Sequence, residues 1–329
     1  MKKIIMLTCC AMTLVLAGCS DNSQSNAPSE SNKRASASLT NEIALITKLT
    51  NTVFWRSVFA GAQDAGKELG YKIDWSGPNR ETNVAAQTQM VDQAIDQQLA
   101  GVIIAPVDRT ALVSPVNKLS ELGIPCVIID SGVETLNFVS FISTYNSLSG
   151  EIAARRMGKI LNGKGNVIVV RHLEGSQATV KRVSGFCQLL TNEFPNIKIV
   201  DSQSGKDTAE DAKAATEEML RRNPDVQGIF ACNVDVSVGA LQALQAMKRA
   251  EIKMIAYDPH KILLEGLRSG QVDSIVVQNP YKMGYESVRT LVMHIKGQPV
   301  PKMMDSGVAL VTLDNLTEPT ILRLLGEQQ

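Results

Sequence analysis

From residue 41 onward the chain alternates between two hydrophobic patterns. Short, continuous apolar runs read as strands buried on both faces: IALIT (43–47), YKIDW (71–75), GVIIA (101–105), CVIID (126–130), FVSFI (138–142), NVIVV (166–170), IKIVD (197–201), GIFAC (228–232), KMIAY (253–257) and DSIVV (273–277). Segments of helical period run between them. Val58, Ala62, Ala65 and Leu69 share one face, as do Val91, Ala94, Ile95 and Leu99, and again Leu241, Leu244 and Met247. Regular alternation of this kind predicts an α/β fold with parallel sheets. Ten runs are more strands than one lobe of this length usually holds, so the pattern predicts two similar doubly wound lobes.

The first 40 residues read differently. Lys2 and Lys3 precede a largely apolar run, Ile4 to Leu16, and Leu16-Ala17-Gly18-Cys19 closes it. Residues 1–19 therefore read as a secretory signal, too short for a good membrane span. Residues 20–40 are rich in Ser and Asn with almost no apolar content and read as a flexible tether.

Composition narrows the function classes. Apolar residues are 44% and charged residues 20%, as expected of a globular protein. Formal net charge is zero with no basic block, which argues against nucleic acid, whose binding leans on phosphate neutralisation. No later apolar run is long enough to cross a membrane. Beyond Cys19 the expected mature chain carries Cys126, Cys187 and Cys232, without the CxxC spacing of a zinc or redox site. They read as small packing residues.

Several strands end in a polar side chain and a turn. Asp130 follows CVII and precedes Ser131-Gly132; Asn233 follows GIFAC; Asp258 follows KMIAY and precedes Pro259; Gln278 follows DSIVV and precedes Asn279-Pro280. Ligands of open parallel sheets sit outside the carboxyl ends of strands. Four hydrogen-bonding side chains there, without metal-type clustering, suit a ligand rich in hydroxyls, although each could instead cap a helix or a turn. Phe54 and Trp55 sit where the first loop becomes a helix. Aromatics are only 4% of the chain, so the pair is either core or a flat apolar surface offered to a ligand. Arg171-His172 also lies at a strand end and could face the cleft or solvent.

Catalytic signatures are missing. The chain has no HExxH, no GxSxG, no Walker-type loop, and no GxGxxG after the first strand. Gly163-Lys164-Gly165 precedes a strand and reads as a turn. Asp130 and Asp258 could be imagined as paired catalytic carboxylates, but no nucleophile stands near either in sequence. No cofactor and no metal are expected.

The segments IALITKLTNTVFWRSVFAGAQDAGKELGY, PCVIIDS, NPDVQGIFACNVDVSVGALQAL and YDPHKILLEGLRSGQVDSIVVQNP are long, ordered and collinear. With them the chain resembles the type I periplasmic binding proteins of ribose, allose and related sugars, which serve ABC importers. The resemblance implies two α/β lobes joined by three crossovers, with the sugar in the cleft between them. The first lobe would hold 41–144 and 279–307, and the second 145–278 and 308–329, with crossovers near Tyr145-Asn146, Gln278-Asn279 and Gly307. Phe54 and Trp55 match the aromatic pair that packs on the sugar ring. Asp130, Asn233, Asp258 and Gln278 match the polar binders. Lys48 stands where ribose-type members carry Ser, as in allose-type members. Thr52 stands at a family Asn, with Asn51 adjacent. Ser131 replaces an Arg, Val180 replaces a second-lobe Arg, and Asp207 falls near the place of an aromatic; Arg182 matches a neighbouring family Arg. The end of the leader resembles a lipobox, which implies a lipid on Cys19.

These readings give a monomeric, lipid-anchored extracytoplasmic receptor that closes on a small sugar or polyol and presents it to ABC permease subunits. A sensor that reports a sugar or furanose-like signal to a membrane chemoreceptor or kinase is the alternative. An enzyme acting on sugars lacks a catalytic constellation.

Overall fold

The computed structural model describes residues 40–326. The expected leader, its Cys19 and nearly all of the expected tether lie outside them. Each lobe is built on one six-stranded sheet. The first sheet contains β1 (Glu42–Ile46), β2 (Lys72–Ser76), β3 (Gly101–Ile104), β4 (Cys126–Ile129), β5 (Ser140–Ser143) and β11 (Met303–Asp305). Its order is β11-β5-β4-β3-β1-β2, with every pair parallel. The second contains β6 (Lys164–Arg171), β7 (Asn196–Ser204), β8 (Gly228–Ala231), β9 (Lys253–Tyr257), β10 (Ser274–Gln278) and β12 (Val308–Val311). Its order, β12-β10-β9-β8-β6-β7, repeats the first, and only the β10–β12 pair is antiparallel.

Alternation along the strands explains the continuous apolar runs. In β1, Ile43 and Leu45 point into one hydrophobic cluster, while Ala44 and Ile46 point into another on the opposite face. Helices α1 (Val53–Leu69) and α9 (Pro280–Ile295) cover the first face; α2 (Val84–Asp96) and α3 (Val113–Glu121) cover the second. With water excluded from both sides, a strand position cannot be polar without a partner, so the run is apolar throughout. The second lobe has one core, to which α4 (Asn146–Ile160), α5 (Gln177–Glu193), α6 (Ala209–Arg222), α7 (Val234–Ala246), α8 (Lys261–Arg268) and α10 (Pro319–Leu325) all contribute.

Close helix pairs recur in both lobes. A Cβ on Gly61 of α1 would overlap the Tyr281 carbonyl of α9, and one on Gly284 would overlap the Val58 carbonyl. Gly150 of α4 and Gly185 of α5 repeat the arrangement against Arg182 and Ser147. Only glycine allows backbones to approach this closely.

The chain passes between the sheets three times. It leaves the first after β5 and enters α4 of the second lobe. It returns after β10 into α9, which packs on the first lobe, and crosses again between β11 and β12 at Ser306 and Gly307. At the last crossing Ser306 N–H donates to the Ser143 carbonyl at 3.0 Å, and Gly307 has φ +98°.

All ten apolar runs fall on strands, some shifted by one to three residues at an end. Strands β11 and β12 are not legible in the pattern. They are short edge strands of the two sheets, and β11 (MMD) shows too little alternation to stand out.

Candidate functional site

The carboxyl ends of the central strands of both sheets meet at one cavity, which encloses about 470 Å³ of space, part of it open to solvent. β1 runs into Lys48 and the loop before α1, where Thr52 caps the helix by accepting from Trp55 N–H at 3.3 Å. The cap fixes the first turn and with it the direction of two rings. Trp55 is buried in the first-lobe core, Phe54 meets it edge-on at 4.9 Å between centroids, and both line the cavity. Core and cavity wall are therefore not alternatives for this pair.

Two aspartates hold matching places. Asp130 follows β4 and Asp258 follows β9, and each N–H continues the sheet ladder, to Ile142 and Val276 carbonyls at 3.1 and 2.8 Å. Both adopt the left-handed region, with φ +58° and +61°. A residue with a Cβ pays about 1–2 kcal/mol for that conformation, less for Asp, whose short polar chain tolerates it. The turn aims each carboxylate into the cavity instead of along the sheet.

Hydrogen bonds organise these groups. Gln278, the last residue of β10, donates its Nε2 to Asp258 Oδ1 and Oδ2 at 3.1 and 3.0 Å, while its own Oε1 is buried without a partner. Burial pushes the Asp258 carboxyl up to about 6, against a partial offset from Arg182 and the Gln278 bond. Arg182 is buried, donates to Asn146 Oδ1 at 2.8 Å and to the Cys232 carbonyl at 3.1 Å, and stacks 3.9 Å over the Tyr257 ring. Asn233 caps α7 by accepting from Val236 N–H at 3.1 Å, which leaves its amide NH₂ as a donor toward the cavity.

Lys48 works differently. Its ammonium donates to Ser131 Oγ at 2.8 Å and to Ser176 Oγ at 3.2 Å, and it pairs with Asp130 Oδ2 at 2.8 Å. An ammonium has three hydrogens, and these partners occupy all three. Lys48 reaches the cavity as a brace between the lobes rather than as a free donor.

A model of the periplasmic binding protein domain matches residues 43–299. The chain belongs to the type I periplasmic sugar-binding protein family. The ribose import binding protein of Bacillus subtilis is 25% identical over 313 residues, 95% of this chain and 99% of that protein. The D-apiose import binding protein of Paraburkholderia graminis is 27% identical over 287 residues, 85% of this chain and 89% of that one. A carbohydrate transporter solute-binding protein from Agrobacterium radiobacter, in complex with D-arabinose, superposes with a TM-score of 0.84 at 30% identity, covering 88% of this chain and all of that one. One from Agrobacterium vitis, with bound D-fucose, does so at 0.82 and 32%, covering 86% of this chain and 99% of that one.

In this binding protein the cavity brings together Lys48, Thr52, Phe54, Trp55, Asp130, Arg182, Asn233, Asp258 and Gln278. It leaves out three candidates. Asn51 is exposed. Ser131 lies behind the wall, between Lys48 and Ala178 N–H. Asp207 accepts from Arg80 at 2.7 and 3.2 Å and from Thr82 at 3.3 Å, outside the cavity, because a cation from the first lobe reaches it first. Arg171 and His172 separate: Arg171 pairs with Glu174 at the surface, while His172 is buried and faces the cavity. Sequence reasoning missed Glu81 and Asp235. Glu81 lies five residues beyond β2, and Asp235 is in the first turn of α7, so neither stands at a strand end.

Proposed function

We propose that this protein is an extracytoplasmic solute receptor of an ABC importer that encloses a small neutral sugar between its lobes. The reading is carried by Asp130 and Asp258, turned by the same left-handed backbone toward one cavity whose wall includes Phe54 and Trp55. Carboxylates accept from sugar hydroxyls, Asn233 donates to them, and the C–H face of a sugar ring stacks on an aromatic surface. Relatives named for ribose and D-apiose, and structures holding D-arabinose and D-fucose, support the ligand class.

Binding is coupled to closure. Residues 41–144 with 279–307 move as one body, and 145–278 with 308–329 as the other. The bonds that closure makes are those joining the bodies at the cavity edge: Lys48 to Ser176, Arg80 to Asp207, and Arg109 N–H to the Gly175 carbonyl at 3.0 Å. A sugar held by both lobes favours this arrangement through its extra contacts. Leu16-Ala17-Gly18-Cys19 supports anchoring of the mature chain by a lipid on Cys19.

Thermal-shift screening of D-ribose, D-arabinose, D-apiose and D-fucose, followed by small-angle scattering with the tightest, tests both claims. A ligand at 100 times its Kd stabilises by about 2.7 kcal/mol, a clear rise in Tm. If no sugar raises Tm, the ligand class is wrong; if a bound sugar leaves the radius of gyration unchanged, closure is wrong.

A further inference from the structure

Three side chains on the cavity wall have no task in the contacts described so far. His172, one residue past β6, is 3% exposed, and neither ring nitrogen has a hydrogen-bond partner. Burial holds its imidazole at about 3, so it is neutral at physiological pH and offers one donor and one acceptor. Glu81 has a side chain 12% exposed, and its buried Oε2 has no hydrogen bond. The nearest cation, Lys48 Nζ, is 3.9 Å away and already has its three acceptors. Asp235 completes the group from the first turn of α7. Burial raises the Glu81 and Asp235 carboxyls, to about 7 and about 6, with a further push from Asp130, Asp235 and Asp207 on Glu81 and from Asp207 on Asp235.

An unbonded polar group kept out of water disfavours the folded state. Groups such as these, from different elements and lining one cavity, are a pattern that a bound ligand resolves. The balance of acceptors and charge decides which ligand. Glu81, Asp130, Asp235 and Asp258 are four potential anions, against Lys48 and Arg182. Gln278 Oε1 adds another unpaired acceptor. Such a wall asks the ligand for donors and gives no free ammonium to an acid group.

We propose that Glu81, His172 and Asp235 form a second binding subsite beside the strand-end aspartates, one that takes adjacent hydroxyls of an uncharged sugar and excludes sugar acids and sugar phosphates. The proposal rests on the sugar-receptor reading and adds the residues and the charge selectivity. His172 donates to one hydroxyl and accepts from its neighbour, and the two carboxylates accept from the rest.

The test is calorimetric titration of the whole chain with D-ribose, D-arabinose and D-fucose as neutral probes, and with D-glucuronate and D-ribose 5-phosphate as acidic ones. Wild type should bind at least one neutral sugar and show at least 100-fold weaker binding of both acids. His172→Ala should weaken the tightest neutral sugar at least tenfold, and Glu81→Gln and Asp235→Asn several-fold each. The Glu81→Gln/Asp235→Asn double variant should narrow the gap between neutral and acidic probes. Each near-isosteric variant should melt no lower than wild type, because burial disfavours the charged form of both carboxyls; His172→Gln replaces the alanine variant if that one does not fold. Wild-type sugar affinity in all three variants, or D-glucuronate binding as tight as the neutral sugars, overturns the subsite while the receptor reading stands. If no neutral sugar binds wild type, the receptor reading falls and the subsite with it.

Discussion

Asp258→Asn should make the ligand-free protein more stable and a weaker binder. The carboxyl is 6% exposed, and its ordinary value of 3.8 is raised to about 6, chiefly because burial disfavours the charged form. That gap, at 1.36 kcal/mol per pH unit, means the ionised group opposes folding by about 3 kcal/mol. The sign follows from proton counts. Between pH 4 and 6 the native chain holds this proton and the unfolded chain has lost it. Stability attributable to the group therefore falls as pH rises through that window and is level above it. An asparagine amide is never ionised, and it adds a second benefit: with a turn of the Gln278 amide, Asn Nδ2 donates to the orphaned Gln278 Oε1 while its oxygen still accepts from Gln278 Nε2. The variant should match wild type below pH 4 and gain about 1–3 kcal/mol above pH 6. Domains of 150–250 residues shift by about 2–4 °C per kcal/mol, so Tm should rise by several degrees at pH 7. Sugar binding should weaken about tenfold, because a charge-assisted bond is replaced by a neutral one. Calorimetric scans at pH 4, 5, 6 and 7 read the first effect and titration reads the second. A variant that melts below wild type at pH 7, or a difference in Tm that does not grow between pH 4 and 6, would refute the desolvation account.

Other expectations concern the aromatic wall and the helix interfaces. Trp75 stacks on Phe59 at 4.4 Å, donates to Thr47 Oγ1 at 2.8 Å and does not line the cavity, whereas Trp55 does. A sugar-induced change in tryptophan emission should survive Trp75→Phe and vanish in Trp55→Phe; a silent Trp75→Phe protein would place the ligand elsewhere. Gly284→Ala should cost about 1–3 kcal/mol in urea unfolding, because the added methyl meets the Val58 backbone and forces α1 and α9 apart. An unchanged midpoint would show that the helices can separate freely.

The local pattern of this chain was enough to specify its layers. Every strand buried on both faces reads as an unbroken apolar run, because a polar residue there would be left without water or a partner. The strand-end rule found Asp130, Asn233, Asp258 and Gln278 because the carboxyl end of a buried strand, within a residue or two, is where a polar side chain can again find a partner. It could not show the left-handed turn that aims the two aspartates, nor the partners that occupy each side chain. Lys48 looked like a donor for a ligand; the fold surrounds it with Ser131, Ser176 and Asp130, residues 83, 128 and 82 positions away. Asp207 looked like a wall residue until Arg80 of the other lobe took it.

What the sequence determined by itself was periodicity: which segments are strands, which are helices, and that two similar sheets must form. Those are short-range properties, set by the rise and repeat of each element. The tertiary structure alone decided which polar groups face one another. His172 and Glu81 are 91 residues apart and come from different lobes, and only their meeting at one cavity turns two unremarkable residues into unpaired polar groups. Hydrogen bonds act over about 3 Å, a distance that sequence spacing does not measure across two domains.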